Sequence, residues 1–334
     1  MIIPFFIPHA GCQHQCVFCS QKQITGSSGP PEPSTIAPMI EEYLASAESG
    51  DRTEVAFYGG SFTALAPDRQ EAYLAPVSQF IEAGRISTIR ISTRPDCVTA
   101  SGISLLKRFR VTIVELGSQS MDDEVLHRSG RGHTAADTAA TVALLGSEGF
   151  IIGIQIMAGL PGDRDETFLR TVEETVGLKP DFVRLYPTLV IKNTPLEELY
   201  RSGAYEPLSI DSAVDLCRQA LLRFEEAGIP VIRIGLQPTA ELGRPGTVLA
   251  GPYHPAFGQL VESSIFLGKM QRLLGKGSEH SSARITVHPL DLSTALGQKR
   301  SNVMALKTEY RLRSLSIAAD ENVPRKSVRL LTSL

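Results

Sequence analysis

Residues 2–19 read Ile2-Ile3-Pro4-Phe5-Phe6-Ile7-Pro8-His9-Ala10-Gly11-Cys12-Gln13-His14-Gln15-Cys16-Val17-Phe18-Cys19. An apolar run ends at a Pro- and Gly-marked turn, and three thiols follow within eight residues. A short apolar run bounded in this way reads as a buried strand, and the turn as its exit into a loop. The same unit recurs along the chain. Strand-like runs rich in β-branched residues fall at Glu54–Tyr58, Thr88–Ser92, Val111–Leu116, Ile151–Met157, Phe182–Tyr186 and Val231–Ile234. Helical spacing appears between them, at Ile36–Ala47, Arg69–Ile81, Ala135–Leu145, Glu166–Val176 and Ser212–Glu226. Strands alternating with helices imply a parallel sheet with right-handed crossovers. Six or seven such units predict a barrel or an open partial barrel rather than a two-layer sheet. The expected class is therefore α/β, a partial (β/α)6-type TIM barrel with ligands at the C-terminal ends of its strands.

From about Ser278 the pattern changes. Arg284–His288, Leu312–Ile317 and Ser327–Leu331 read as strands, and Leu290–Leu296 and Asn302–Glu309 as helices. The expected organisation is a barrel domain over residues 1–260 and a small α+β appendage over residues 261–334.

The 334 residues carry a formal charge of −3 and 42% hydrophobic residues, enough for one large core. No apolar run is long enough for a membrane-spanning helix. Met1–Pro8 lacks the basic start and cleavage pattern of a signal peptide. The near-neutral charge argues against non-specific nucleic-acid binding by the whole chain, while leaving room for a local basic patch. The five cysteines are too few for a disulfide scaffold. Cys97 and Cys217 stand alone and read as small buried side chains, and Cys12, Cys16 and Cys19 read as a metal site in a reducing cytoplasm.

Thiolates are soft ligands that suit iron–sulfur clusters and zinc. One compact loop carrying three of them can wrap a single cubane and leave its fourth iron open. Zinc would need a further ligand, which His9 or His14 offers, but structural zinc sites use paired Cys-x2-Cys knuckles and no second pair exists here. Cys-x3-Cys-x2-Cys with an aromatic residue, Phe18, before the last cysteine resembles the signature of radical S-adenosylmethionine (SAM) enzymes. That resemblance implies one [4Fe–4S] cluster held by Cys12, Cys16 and Cys19, with SAM chelated at the open iron. It also implies one-electron cleavage of SAM to a 5′-deoxyadenosyl radical, and a flavodoxin- or ferredoxin-like electron donor.

The strand ends carry further motifs. Tyr58-Gly59-Gly60-Ser61 resembles the family's Gly-Gly-Glu motif for the methionine amino group, with Ser61 in place of the acid. Ser92 and Arg94 stand at the third strand end, where Arg94 is expected to meet either the SAM carboxylate or Asp96. Gln119 and Arg131 match positions that help seat SAM in oxygen-independent coproporphyrinogen III oxidases. Gln155 lies on the strand expected to face adenine, ahead of the turn Gly159-Leu160-Pro161-Gly162, and its neighbours Ile154 and Ile156 read as core. Arg184 and Arg233 add polar groups at the same mouth. Gly251–Gly258 is expected to be a lid, with Tyr253 and His254 as candidates for substrate contact or proton transfer; an ordinary packed loop is the alternative.

As an ordered set, these motifs are most similar to the elongator-catalytic-subunit-like branch over residues 1–260. That branch modifies wobble uridines of tRNA, so tRNA is the candidate substrate. The chain ends at Leu334, so no acetyltransferase domain is expected. Two alternatives stand beside this reading: a tetrapyrrole-pathway oxidase, which would need a strongly cationic cavity, and a non-catalytic iron–sulfur or zinc protein. In the tail, Gly297-Gln298-Lys299-Arg300 between two helices is reminiscent of the backbone-clamping loop of KH modules, with Arg300 replacing the second glycine. A solvated turn is the alternative there.

Overall fold

The computed structural model describes residues 1–27, 29–46, 52–275 and 282–331. The expected helix end at Ala47 and the change of pattern at Ser278 lie outside the described residues. The strands, in chain order, are β1 (Ile2–Phe6), β2 (Glu54–Tyr58), β3 (Thr88–Thr93), β4 (Val111–Gln119), β5 (Ile151–Ala158), β6 (Phe182–Pro187), β7 (Val190–Ile191), β8 (Val231–Ile234), β9 (Val248–Ala250), β10 (Ser282–Val287), β11 (Ser314–Ala319) and β12 (Val328–Leu331). The helices are α1 (Gln21–Thr25), α2 (Ile36–Ala45), α3 (Pro67–Glu82), α4 (Ala100–Arg108), α5 (Asp123–Arg128), α6 (Ala135–Ser147), α7 (Asp165–Leu178), α8 (Pro195–Arg201), α9 (Ile210–Glu226), α10 (Phe257–Leu274), α11 (Leu292–Leu296) and α12 (Ser301–Glu309).

The chain divides into two compact units, Met1–Ser209 with Leu221–Tyr253, and Ile210–Ala220 with His254–Leu334. In the first unit, seven parallel strands pair in the order β1-β2-β3-β4-β5-β6-β8. A monotonic order means that every crossover advances in one direction. This curls the sheet into a half-barrel instead of the two-way winding of an open sheet. All seven strands were legible in the sequence. Each strand presents two different faces. Ile89 and Ile91, Val114 and Leu116, Ile154 and Ile156, and Val183 and Leu185 are buried. Glu115, Gln155 and Arg184, each between two such residues, and Ser92, next to Ile91, line a cavity. Period-two alternation thus separates a core from a site on the same strands. The helices start where side chains cap them: Thr99 accepts from Gly102 N–H before α4, Asp122 from Glu124 and Val125 before α5, and Thr134 and Asp137 form a capping box before α6.

In the second unit, β10 pairs parallel to β11 and antiparallel to β12. Phe266, Met270, Ile285, Val287 and Leu306 form its core. The Gly297–Arg300 turn lies between α11 and α12, with Gly297, Lys299 and Arg300 at φ of 73°, 51° and 62°. Lys299 and Arg300 are exposed. Elsewhere in the tail, Arg325 pairs with Asp291 and Arg329 with Asp320. No helix among the described residues is long and apolar enough to cross a membrane.

Candidate active site

Cys12, Cys16, Phe18, Cys19, Tyr58, Gly59, Gly60, Ser92, Arg94, Gln119, Arg131 and Gln155 all line one cavity of about 820 Å³ at the C-terminal ends of the barrel strands. The sequence separates these residues by up to 143 positions, and the parallel sheet brings their strand ends to one rim. Ser61 is placed differently. Its side chain is fully buried and lies between Thr93 Oγ1 at 3.0 Å and Arg94 N–H at 3.3 Å. It ties β2 to β3 beneath the cavity wall.

The cysteine loop is fastened by backbone on both flanks. Val17 N–H donates to Ser129 O at 3.1 Å, and Leu196 N–H donates to Val17 O at 2.9 Å. Ser61 N–H donates to Ala10 O at 2.8 Å, and Ile7 N–H to Tyr58 O at 2.9 Å. This brings the loop against the Gly59–Gly60 turn with no space between. A Cβ on Gly60 would stand 2.3 Å from Ala10 O and 2.7 Å from Ile7 O, at a φ of +63°. Only glycine fits there. Gly60→Ala is therefore expected to destabilise the protein by about 2–4 kcal/mol and to weaken SAM binding. Thermal melts and equilibrium dialysis of the reconstituted protein check both effects.

Arg131 is buried with its guanidinium inside the site. Its Nη1 donates to Cys16 Sγ at 2.9 Å, its Nη2 to Gly117 O, and its Nε has no protein partner. Gly130 and Gly132 flank it at φ +64° and +67°, a backbone conformation that favours glycine. A Cβ on Gly130 would meet Gln15 O at 3.1 Å, and one on Gly132 would meet the His14 ring at 2.6 Å. The Gly-Arg-Gly run is thus shaped by the passage of the cysteine loop. Arg94 makes a bidentate fork to Asp96, at 2.9 and 2.8 Å, and keeps a buried Nη1 without a partner. Burial raises the Asp96 pKa, but the fork outweighs that and holds it below the ordinary carboxylate value. Gln119 adopts φ +72° at the irregular exit of β4, and its Oε1 is buried and unpaired.

The electrostatics of the thiols call for a cation. Burial pushes the Cys19 thiol up to about 12, with repulsion from Cys16 and Cys12 adding to it, and Cys12 is raised for the same first reason. Without a counter-charge these groups stay protonated, while an iron cluster would hold them as thiolates. Among the described residues no three His, Cys, Asp or Glu side chains converge on one metal ion. His9 Nε2 already accepts from Gln21 N–H at 3.2 Å. The polar atoms without partners on Arg131, Arg94 and Gln119 offer two cationic donors and one acceptor to a zwitterionic ligand such as SAM.

The cavity floor is a network of charges. Glu115 is 2% exposed and accepts from Arg90 Nη1 at 2.6 Å and from Arg184 Nη2 at 3.0 Å. Arg90 also donates to Glu54 at 2.8 Å, and Arg184 to Tyr58 Oη at 3.0 Å. Burial raises the Tyr58 hydroxyl pKa, with the Glu115 charge adding to it, so the phenol stays neutral. Arg233 lines the same cavity. Its Nε donates to Gly235 O at 3.1 Å, and it meets no carboxylate among the described residues. Sequence reasoning missed Gln21, which joins the loop to the turn; nothing in its local spacing marks it.

Tyr253 packs against Leu189, Ile191 and Leu242 and does not line the cavity. His254 belongs to the second unit, where its Nδ1 accepts from Ala256 N–H at 3.1 Å just ahead of α10. Cys97 and Cys217 are buried and free, and burial pushes the Cys217 thiol up to about 12.

Behind Arg94 and Arg131 lies His133, 6% exposed. Burial, together with these two cations, lowers its pKa from 6.5 to about 4. The unfolded chain therefore binds a proton between pH 6.5 and 4 that the folded chain refuses. Stability is complete above pH 6.5 and falls by up to about 3 kcal/mol as the pH drops to 4. Melting temperatures at pH 7.5 and 5 should differ more for the wild type than for His133→Gln.

The sequence matches the Radical SAM superfamily over residues 6–175 and the Radical_SAM C-terminal domain over residues 180–266. It is 29% identical over 201 residues to the tRNA uridine(34) acetyltransferase of Methanocaldococcus jannaschii, covering 54% of this chain and 37% of that protein. It is also 29% identical over 202 residues to human Elongator complex protein 3, with the same two coverages. The chain thus spans little more than a third of the length of these two relatives. The structure resembles archaeal Methanocaldococcus infernus Elp3 with an N-terminal deletion, at a TM-score of 0.62 and 22% identity, over 81% of this chain and 63% of that one. It resembles Streptococcus suis SuiB at a TM-score of 0.51 and 11% identity, over 72% of this chain and 50% of that one.

Proposed function

Because this chain belongs to the radical SAM superfamily, whose enzymes use a [4Fe–4S] cluster and SAM, we propose that Cys12, Cys16 and Cys19 hold one cluster and that the cavity above the strands seats SAM for a reaction on a tRNA nucleotide. The observation that carries this reading is the convergence of the three thiols, the Gly59–Gly60 turn, Arg131, Gln119 and Gln155 on one cavity. When bound, the cluster supplies the electron that splits SAM and releases a 5′-deoxyadenosyl radical. The chain's own work is positioning. Arg131 neutralises charge at Cys16, Gly59 and Gly60 present backbone at close range, Phe18 and Tyr58 wall the cavity, and Ser92, Gln119 and Gln155 supply polar contacts for the nucleoside. The reductant is a flavodoxin- or ferredoxin-like donor in the cytoplasm.

Two features support a nucleotide substrate. The tRNA-modifying relatives cover this part of the chain, and Arg233, which meets no carboxylate among the described residues, offers a cation suited to a phosphate. A tetrapyrrole polyanion fits less well, because Glu54 and Glu115 neutralise Arg90 and Arg184, and Asp96 neutralises Arg94. Exposed Lys299 and Arg300 are proposed to contact the RNA backbone. Replacing both with alanine should reduce the affinity for bulk tRNA several-fold and flatten its salt dependence, measured by filter binding.

The test is anaerobic reconstitution followed by EPR of the dithionite-reduced protein with and without SAM, then incubation with bulk tRNA. A cluster signal reshaped by SAM, 5′-deoxyadenosine release stimulated by tRNA, and a new nucleoside mass in digested tRNA are expected. A SAM-responsive cluster with no effect of tRNA would discard the RNA substrate and leave the radical enzyme standing.

A further inference from the structure

Gly59 and Gly60 turn at φ of +76° and +63°, a backbone form open to glycine and with no side chain of its own to hold it. The acid of the resembled motif is missing, and Ser61 in its place is turned into the protein, against Thr93 Oγ1 and Arg94 N–H. The turn thus presents no carboxylate to the cavity, and recognition of a cation there falls to its backbone. The peptide between the two glycines is trans, so its N–H and C=O point to opposite sides. Gln21 takes the N–H, its Oε1 accepting from Gly60 at 2.8 Å. Gly59 O is thereby turned away from Gln21, and among the described residues it receives no backbone hydrogen bond. Gly59, Gly60 and Gln21 all line the cavity.

Gln21 is itself held in place. Its Oε1 also accepts from His9 N–H at 2.6 Å, and its own N–H donates to His9 Nε2 at 3.2 Å. The pair of bonds accompanies a φ of +57° at His9, a conformation uncommon outside glycine. Gly59 packs directly against the carboxamide, since a Cβ there would lie 3.0 Å from Oε1. One oxygen therefore receives two backbone donors, one from the loop after β1 and one from the turn after β2. Glutamate would keep both acceptor positions, whereas leucine would keep the bulk and lose them.

We infer that Gln21 is a positioning residue for SAM: by accepting the Gly60 N–H it fixes the Gly59–Gly60 peptide with the Gly59 carbonyl free to accept from the ammonium group of the ligand, in a subsite whose acid this chain lacks. This rests on the reading that the cavity seats SAM.

The test compares wild type, Gln21→Glu and Gln21→Leu as full chains after anaerobic reconstitution. Iron content, equilibrium dialysis with SAM and hydrogen exchange of the peptide that spans Gly59 and Gly60 are measured on each. Gln21→Leu should exchange the Gly60 amide faster and bind SAM roughly tenfold more weakly, the loss expected for one hydrogen bond. Gln21→Glu, which keeps the acceptors, should match wild type in both. Wild-type SAM affinity in Gln21→Leu overturns the inference alone. So does a loss of SAM affinity in Gln21→Glu at full iron content, because the acceptors would then not be what matters. Gln21→Glu keeps the inference testable if Gln21→Leu fails to fold. A wild-type protein that carries iron and binds no SAM overturns the SAM reading and the inference with it.

Discussion

Cys16→Ala is expected to abolish the reconstituted iron–sulfur chromophore and to bring SAM cleavage down to background. Cys16 is the buried member of the three, its carbonyl receives the Cys19 N–H, and its sulfur receives Arg131. Alanine would remove a ligand and leave the buried Arg131 guanidinium facing a methyl group. Two thiols on one loop cannot hold a cubane against exchange, so iron and sulfide should fall to near zero and the reduced EPR signal should vanish. Cys97→Ala and Cys217→Ala, each removing a free thiol outside the loop, should keep full iron content. If Cys16→Ala retained wild-type iron, the assignment of the loop would be wrong. If wild type retained zinc in place of iron through anaerobic reconstitution, the chemistry would be wrong as well.

Glu115→Gln should produce the largest loss of stability. Two arginines, one on β3 and one on β6, rest on this one carboxylate of β4, with side-chain exposures of 8% for Arg90 and 16% for Arg184. Arg90 keeps Glu54, but Arg184 would keep only neutral partners, the carboxamide and the Tyr58 hydroxyl. Removing one partner of a buried ion pair leaves an uncompensated charge, typically a loss of about 3–5 kcal/mol. In a domain of this size that corresponds to a fall in melting temperature on the order of 10 °C. Combining Glu115→Gln with Arg184→Met should recover part of the loss, because the stranded cation goes too. An unchanged melting temperature in the single variant would show that the floor network does not hold the half-barrel together.

The seven barrel strands and the five expected helices were legible because their signals are local. Ile2–Ile7 or Phe182–Tyr186 carries its β-branched and aromatic content within a single window, and Gly-Pro punctuation marks the ends. The cysteine loop was legible for the same reason. The Gly251–Gly258 segment is less legible, since its Pro/Gly content is equally compatible with a lid and with a packed connection. Tyr253 joins an apolar cluster, and Phe257 begins a helix of 18 residues. The exit of β4 was read as ending at Leu116, whereas the strand continues irregularly to Gln119. Positive φ at Gln119 is held by the surroundings and leaves no trace in propensity.

Strand positions, the thiol loop and the placement of motifs at strand ends followed from the sequence by itself, because hydrophobic periodicity, Gly/Pro punctuation and cysteine spacing act over a few residues. Three things waited for the tertiary structure: which arginines are spent on neighbours and which remain free, why glycines flank Arg131, and what Gln21 touches. Each depends on atoms brought together across tens of residues by the curl of the sheet. At that range the balance between a paired and an unpaired charge is decided by distances of a few ångströms, which no local pattern encodes.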